Sequence, residues 1–78
     1  MKIVYSLHAL ERIRQRGINK KLIVLCIQKP DRSEELEGAY RSIKKIDNKV
    51  VVVIYRRKDN KVVVITAYVS SKVHKYLS

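Results

Sequence analysis

His8, Arg12 and Arg16 recur every four residues in the stretch SLHALERIRQRGIN. On a helix this spacing collects one imidazole and two guanidiniums in a stripe that drifts slowly round the axis. These residue types suit a phosphate: a guanidinium grips two oxygens at once, and an imidazole exchanges a proton near neutral pH. Cleavage of RNA by its neighbouring 2′-hydroxyl needs a base for that proton, a cation for the phosphorane charge and an acid for the leaving oxygen. None of these roles requires a metal. The plain alternative is a solvated face, with Glu11 and Gln15 filling out its exposed side.

The stripe needs a helix to carry it. Ser6 stands where an N-cap hydroxyl accepts from a free helical N–H, and Gly17 stands where a left-handed residue ends the helix. Leu7, Ala9, Leu10 and Ile13 form a broad apolar arc, expected to face a sheet. Asn19 caps a second helix, about Lys20 to Lys29, closed by Pro30 and Asp31. Its run LIVLCI is apolar nearly all round and by periodicity alone equally fits a buried strand.

Ahead of these, KIVY is short and β-prone. Beyond Arg32 the period becomes two. RSEELEGAYRSIKKID reads as two strands around Gly38, the first acidic and at an edge, while KVVVVIYRR and KVVVITAYV flank KDN as a hairpin. The expected fold is α+β: two N-terminal helices on a curved, mainly antiparallel sheet of four to five strands, with a short C-terminal tail. The central pair is apolar on both faces. The helices cover one, and the other awaits the tail SSKVHKYLS, a second copy of the chain or a different protein.

At 78 residues residues 1–78 form a single domain, because a second core would leave each half too little apolar surface to bury. Eighteen Lys and Arg against seven Asp and Glu leave a net charge of +11. Self-repulsion of this size is relieved by a polyanion or an acidic partner. No apolar run approaches the roughly 20 residues of a membrane span, and the start MKIVYS lacks the apolar stretch of a signal peptide. A cytoplasmic protein without membrane contact is therefore expected. The single cysteine, Cys26, offers neither an internal disulfide nor a metal pair; its apolar neighbours mark it as packing, and no cofactor is expected.

Further cations and phenols complete the candidate set. Lys44 and Lys45 point to opposite faces of their strand, so only one of them, Lys45 in this reading, joins a given site. Arg57 shares a face with Tyr55, a pair able to stack a base and hold its phosphate. Tyr68 lies on one face with Thr66 and can donate to a phosphate oxygen, and Lys72 extends the phosphate-binding set towards the tail. The alternative for the strand cations is an edge charge that discourages aggregation, and for the tyrosines a place at the rim of the core.

The run Ser6-x-His8-Ala9-x-x-Arg12-x-x-x-Arg16-Gly17-Ile18, with Pro30, Gly38 and the hairpin ending VITAY, resembles a small prokaryotic domain family of unknown function. That family looks like a branch of the RelE/ParE-like toxins. The resemblance implies a metal-independent endoribonuclease of a toxin–antitoxin pair, acting on RNA free or on the ribosome. It implies an antitoxin-like partner over the sheet; a homodimer is the other association expected. It adds His74 and Tyr76 to His8 as proton-transfer candidates. A non-catalytic nucleic-acid-binding or protein-interaction domain of the same fold is the alternative.

Overall fold

The computed structural model describes residues 2–78. A five-stranded sheet runs in the order β1-β5-β4-β3-β2, from β1 (Lys2–Tyr5), β2 (Arg32–Leu36), β3 (Ala39–Ile46), β4 (Lys49–Lys58) and β5 (Lys61–Ser70). Helices α1 (Leu7–Arg16) and α2 (Lys20–Gln28) pack on one face, and α3 (Val73–Leu77) on the other. The class is α+β, as expected. It departs from the RelE-like plan of two helices and a tail in the number and placement of its helices, and its sheet is mixed.

Two local causes shape α1. The Ser6 hydroxyl accepts from the Ala9 N–H at 3.0 Å. At the other end Gly17, at φ 62°, donates to the carbonyls of Ile13 and Arg14, and Ile18 N–H donates to Ile13 O at 3.0 Å. This is the paired closure that a left-handed glycine permits, with buried Ile18 completing it. Helix α2 starts at Asn19, whose side chain accepts from Lys21 N–H at 2.8 Å. Ile23, Cys26 and Ile27, spaced i, i+3, i+4, are its buried face.

The apolar arc expected of α1 is only half used. Ala9 and Ile13 are buried, whereas Leu7 is 85% and Leu10 39% exposed. The helix lies along the stretch of β5 beyond the end of β1 and turns its Ala9–Ile13–Arg16 ridge inward. There the Arg16 guanidinium donates to Ala67 O at 2.8 Å, satisfying a carbonyl that no strand reaches.

Strands β2 to β5 form an antiparallel meander, but KIVY adds beside β5 as a parallel edge. That pairing brings Ile3 and Tyr5 against the core containing Val62 and Val64. Each hairpin turn uses one residue of positive φ: Gly38 at 70°, Asp47 at 56° and Asp59 at 57°. Asp tolerates this region because its short side chain bonds locally.

In β5 the pairs Tyr55–Val64 and Ile54–Thr66 leave Ile65 as an extra residue. This bulge reverses the alternation. Val62, Val64 and Ala67 all reach the core under α1 and α2, while Tyr68 emerges on the α3 side. The short tail, to which the sequence assigned no element, is helical because Val73, Tyr76 and Leu77 then pack together on Ile43, Val50 and Val52. It answers in part the question of what covers the second face.

Cys26 is fully buried, and its thiol lies 3.3 Å from Ser42 O and 3.5 Å from Val51 O. Burial pushes it up to about 12, with Asp31 also raising it and Lys44 and a backbone hydrogen bond opposing. A thiol reagent is expected to modify Cys26 only as fast as the domain globally unfolds; fast labelling of the native protein contradicts this packing. Ser6→Ala is expected to cost about 2 kcal/mol, a lost cap plus a lost side-chain bond, measured by urea unfolding, with Ser6→Thr retaining most of the stability.

Candidate functional site

The candidate residues fall into three places. His8 and Arg12 stand on α1, His8 exposed and Arg12 donating to the Gln15 side chain at 2.8 Å. Arg16 ends the same helix but is tied down by its bond to Ala67 O. Of the proposed stripe, His8 is exposed, Arg12 is half-buried and bonded within its own helix, and Arg16 is a strut that still presents charge.

A second group forms where α3 meets the sheet. Tyr68 and Tyr76 place their hydroxyls 3.2 Å apart, with rings edge to face at 6.2 Å. The Arg41 guanidinium lies 5.9 Å from the Tyr76 ring and pairs with Glu34 at 2.6 Å. Glu34 also takes Arg32 at 3.0 Å, and Arg32 reaches back to Tyr76 O at 3.3 Å. The buried Arg41 Nε has no protein partner. Lys45 lies on this same sheet face, exposed, opposite Val50, and its backbone N–H is held by Asp31 at 2.7 Å. Lys72 and His74 are exposed at the start of α3.

Arg57 is elsewhere. Its guanidinium lies 5.2 Å from the Tyr40 ring, and Tyr40 stacks on buried Tyr55 at 5.5 Å. The three share the helix-covered face, so the Tyr55–Arg57 pair is joined through Tyr40, and Arg57 is separated by the sheet from Tyr68.

Electrostatics single out Tyr68. Burial first, then the hydrogen bond and charge of Tyr76, push the Tyr68 phenol up to about 12 against the opposing pull of Arg41 and Arg16. Near neutral pH it is a protonated donor that feels the charges of two guanidiniums, Arg41 from β3 and Arg16 from α1. Such a group can give a hydrogen bond to a phosphate oxygen but is a weak base. Arg41, Glu34 and Arg32 were not among the sequence candidates. The hairpin around Gly38 carried the signal, since it sets Glu34 opposite Arg41, and opposite charges facing each other across strands attract.

A separate shallow groove of about 290 Å³ is lined by Leu7, Leu10, Glu11 and Arg14, using the part of the apolar arc that the sheet leaves open. Among the described residues no helix is long and apolar enough to cross a membrane.

Residues 5–69 match the family described as Domain of unknown function (DUF4258). The match takes in His8, Arg12, Arg16, Arg41, Arg57 and Tyr68 and stops before Lys72, His74 and Tyr76. No curated protein and no solved structure gives a match.

Tyr76→Phe is expected to lower the Tyr68 titration midpoint from about 12, read by tyrosinate absorbance. The sign follows from linkage. The folded value lies above 10.0, so this phenol's contribution to stability is complete below pH 10 and is lost as pH rises from there towards 12. The variant narrows that window, and an unmoved midpoint contradicts the hydroxyl pair.

Proposed function

We propose that this chain, which belongs to the DUF4258 family, binds RNA through its basic surface, with Arg12, Arg16 and Arg41 on phosphate and Tyr68 as a neutral donor. One observation carries the reading: the Tyr68 and Tyr76 hydroxyls meet at 3.2 Å with the Arg41 guanidinium 5.9 Å from the Tyr76 ring, on a chain of net charge +11. This combination suits an anion with several acceptor oxygens. Lys45 and Lys72 extend the surface on the α3 side.

A second reading, metal-independent RNA cleavage by a RelE/ParE-like toxin, is favoured by α3. That helix sets Tyr76 within hydrogen-bond distance of Tyr68 and near the Arg41 guanidinium, and it carries His74, so two of the three proton-transfer candidates stand on one short helix. The order of one strand, two helices and a four-strand meander also agrees with such kinship, and the added helix departs from it. His8 serves this reading only if substrate bridges it to the α3 side. An antitoxin-like chain or a second copy has its best footing on Leu7 and Leu10, since α3 already occupies the sheet's second face.

The test is labelled RNA incubated in EDTA with wild type, His8→Ala, Arg12→Ala, His74→Ala and Tyr76→Phe. Binding without defined products is expected. Arg12→Ala is expected to weaken it five- to thirtyfold, the loss of a charge-assisted contact of about 1–2 kcal/mol, at unchanged melting temperature. Defined products lost in folded His74→Ala or Tyr76→Phe would move the conclusion to the nuclease. No RNA binding at low salt would end both.

A further inference from the structure

The β4–β5 turn closes on a row of lysines. Lys58 pairs with Lys61, and Lys61 pairs with Lys2 of β1, so three ammonium-bearing side chains share one face at one end of the sheet. Cross-strand neighbours have Cβ atoms about 5 Å apart, and like charges there are destabilising. Both ion pairs among the described residues belong to Glu34, at the far edge of the sheet, so neither relieves the row. The turn itself does not demand it. The β3–β4 turn has the same Asp-Asn-Lys sequence, yet there Lys49 faces Ile46.

Beside the row, Arg57, Asp59, Asn60 and Lys61 line a cavity of about 460 Å³, within the size range of small-ligand sites. Lys2 N–H donates to Asn60 O at 3.3 Å, binding β1 to the turn, and Tyr40 holds the Arg57 guanidinium. The lining is mixed in a telling way. Arg57 and Lys61 want an anion, Asp59 wants a hydrogen-bond donor, and Asn60 takes either. An acidic peptide side chain or a bare phosphate offers Asp59 little. A nucleotide offers both kinds of group: phosphate oxygens for the cations, and a ribose 2′-hydroxyl and base N–H for Asp59 and Asn60.

We propose that this hairpin end is a second RNA contact, a site for one ribonucleotide in the cavity at the end of the sheet, with its phosphate on Arg57 and Lys61, its hydroxyl or base edge on Asp59 and Asn60, and Lys2 and Lys58 adding charge from the sheet face opposite Arg57. It rests on the RNA reading only for the identity of the polymer, and it shares no residue with the α1 stripe or the Tyr68 cluster.

The experiment is an amide NMR titration of the whole protein with ribonucleoside 5′-monophosphates, inorganic phosphate and polyglutamate in parallel. Saturable shifts at Asn60 and Lys61 are expected, with the ribonucleotide tighter than phosphate and polyglutamate weakest. Lys58→Ala with Lys61→Ala is expected to weaken the nucleotide on the order of tenfold by removing one charge-assisted contact and the neighbouring charge, while melting no lower than wild type. Arg12→Ala is expected to leave this titration unchanged. With RNA, the double variant is expected to flatten the slope of log affinity against log salt by about 0.7, the value for the one phosphate the site holds. Absent shifts at the turn, polyglutamate binding as tightly as nucleotide, or a folded double variant with unchanged affinity would each overturn the site. Nucleotide shifts at the turn in a protein that fails to bind RNA would overturn the RNA reading and keep the nucleotide site.

Discussion

Ser6 is the junction on which the rest of the architecture depends. Its backbone N–H donates to Val64 O at 3.0 Å, extending the β1–β5 ladder by one bond. Its hydroxyl accepts from Ala9 N–H and donates to Ile65 O at 3.3 Å. Ile65 is the extra residue of the β5 bulge, so one side chain starts the first helix and secures the irregularity that reorients the last strand. The Arg16 bond to Ala67 O fastens the other end of α1 to the same strand. Between these two points the helix has little freedom to roll, which is why Leu7 and Leu10 remain outside despite their hydrophobicity.

The bulge also decides the chemistry. With uninterrupted alternation Tyr68 would share a face with Val62 and Val64 and enter the core beneath the helices. The extra residue delivers it to the opposite face, against Tyr76, whose ring also lies near Arg41. Arg41 is restrained from two sides, by the Glu34 carboxylate and by the Tyr76 ring, so its charge is placed before any ligand arrives. Preplaced cations cost less to order on binding than the flexible side chains of a solvated stripe. Arg12, half-buried and bonded only to Gln15 of its own helix, is less firmly placed.

What could be read from the sequence was local. The Ser6 and Asn19 caps, the Gly17 stop, the acidic strand at the edge and the KDN hairpin depend on neighbours a few residues away, and each appears where its residue types require. The features that escaped are tertiary. Nothing in the run VVVITAYV marks Ile65 as supernumerary, because every residue in it suits a strand on either face. The five-residue α3 is too short to be helical alone and exists through its contacts with Ile43, Val50 and Val52. Ala9, rather than Leu7 or Leu10, faces the sheet because close approach to β5 favours a small side chain, a constraint set by the partner strand. Periodicity also placed Tyr55 and Arg57 on one face, but it could not show Tyr40 lying between them. Arg41 was passed over because its importance lies in Glu34 and Tyr76, neighbours supplied by a hairpin and by a distant helix.

The pairing of β1 with β5 has a further consequence for how the chain acquires this structure. Lys2 meets Lys61 and Tyr5 meets Val64, contacts that close a loop of most of the chain and must overcome its closure entropy before they stabilise anything. During synthesis the segment bearing α1 emerges first, yet both the carbonyls that anchor Ser6 and the one that anchors Arg16 belong to β5, near the other end. Until that strand emerges, the first helix has its N-cap but no floor, and a ten-residue helix is marginal in water without packing. The basic stripe therefore stays a mobile, charged segment until β5 is available and becomes a rigid surface when β5 slots between β1 and β4.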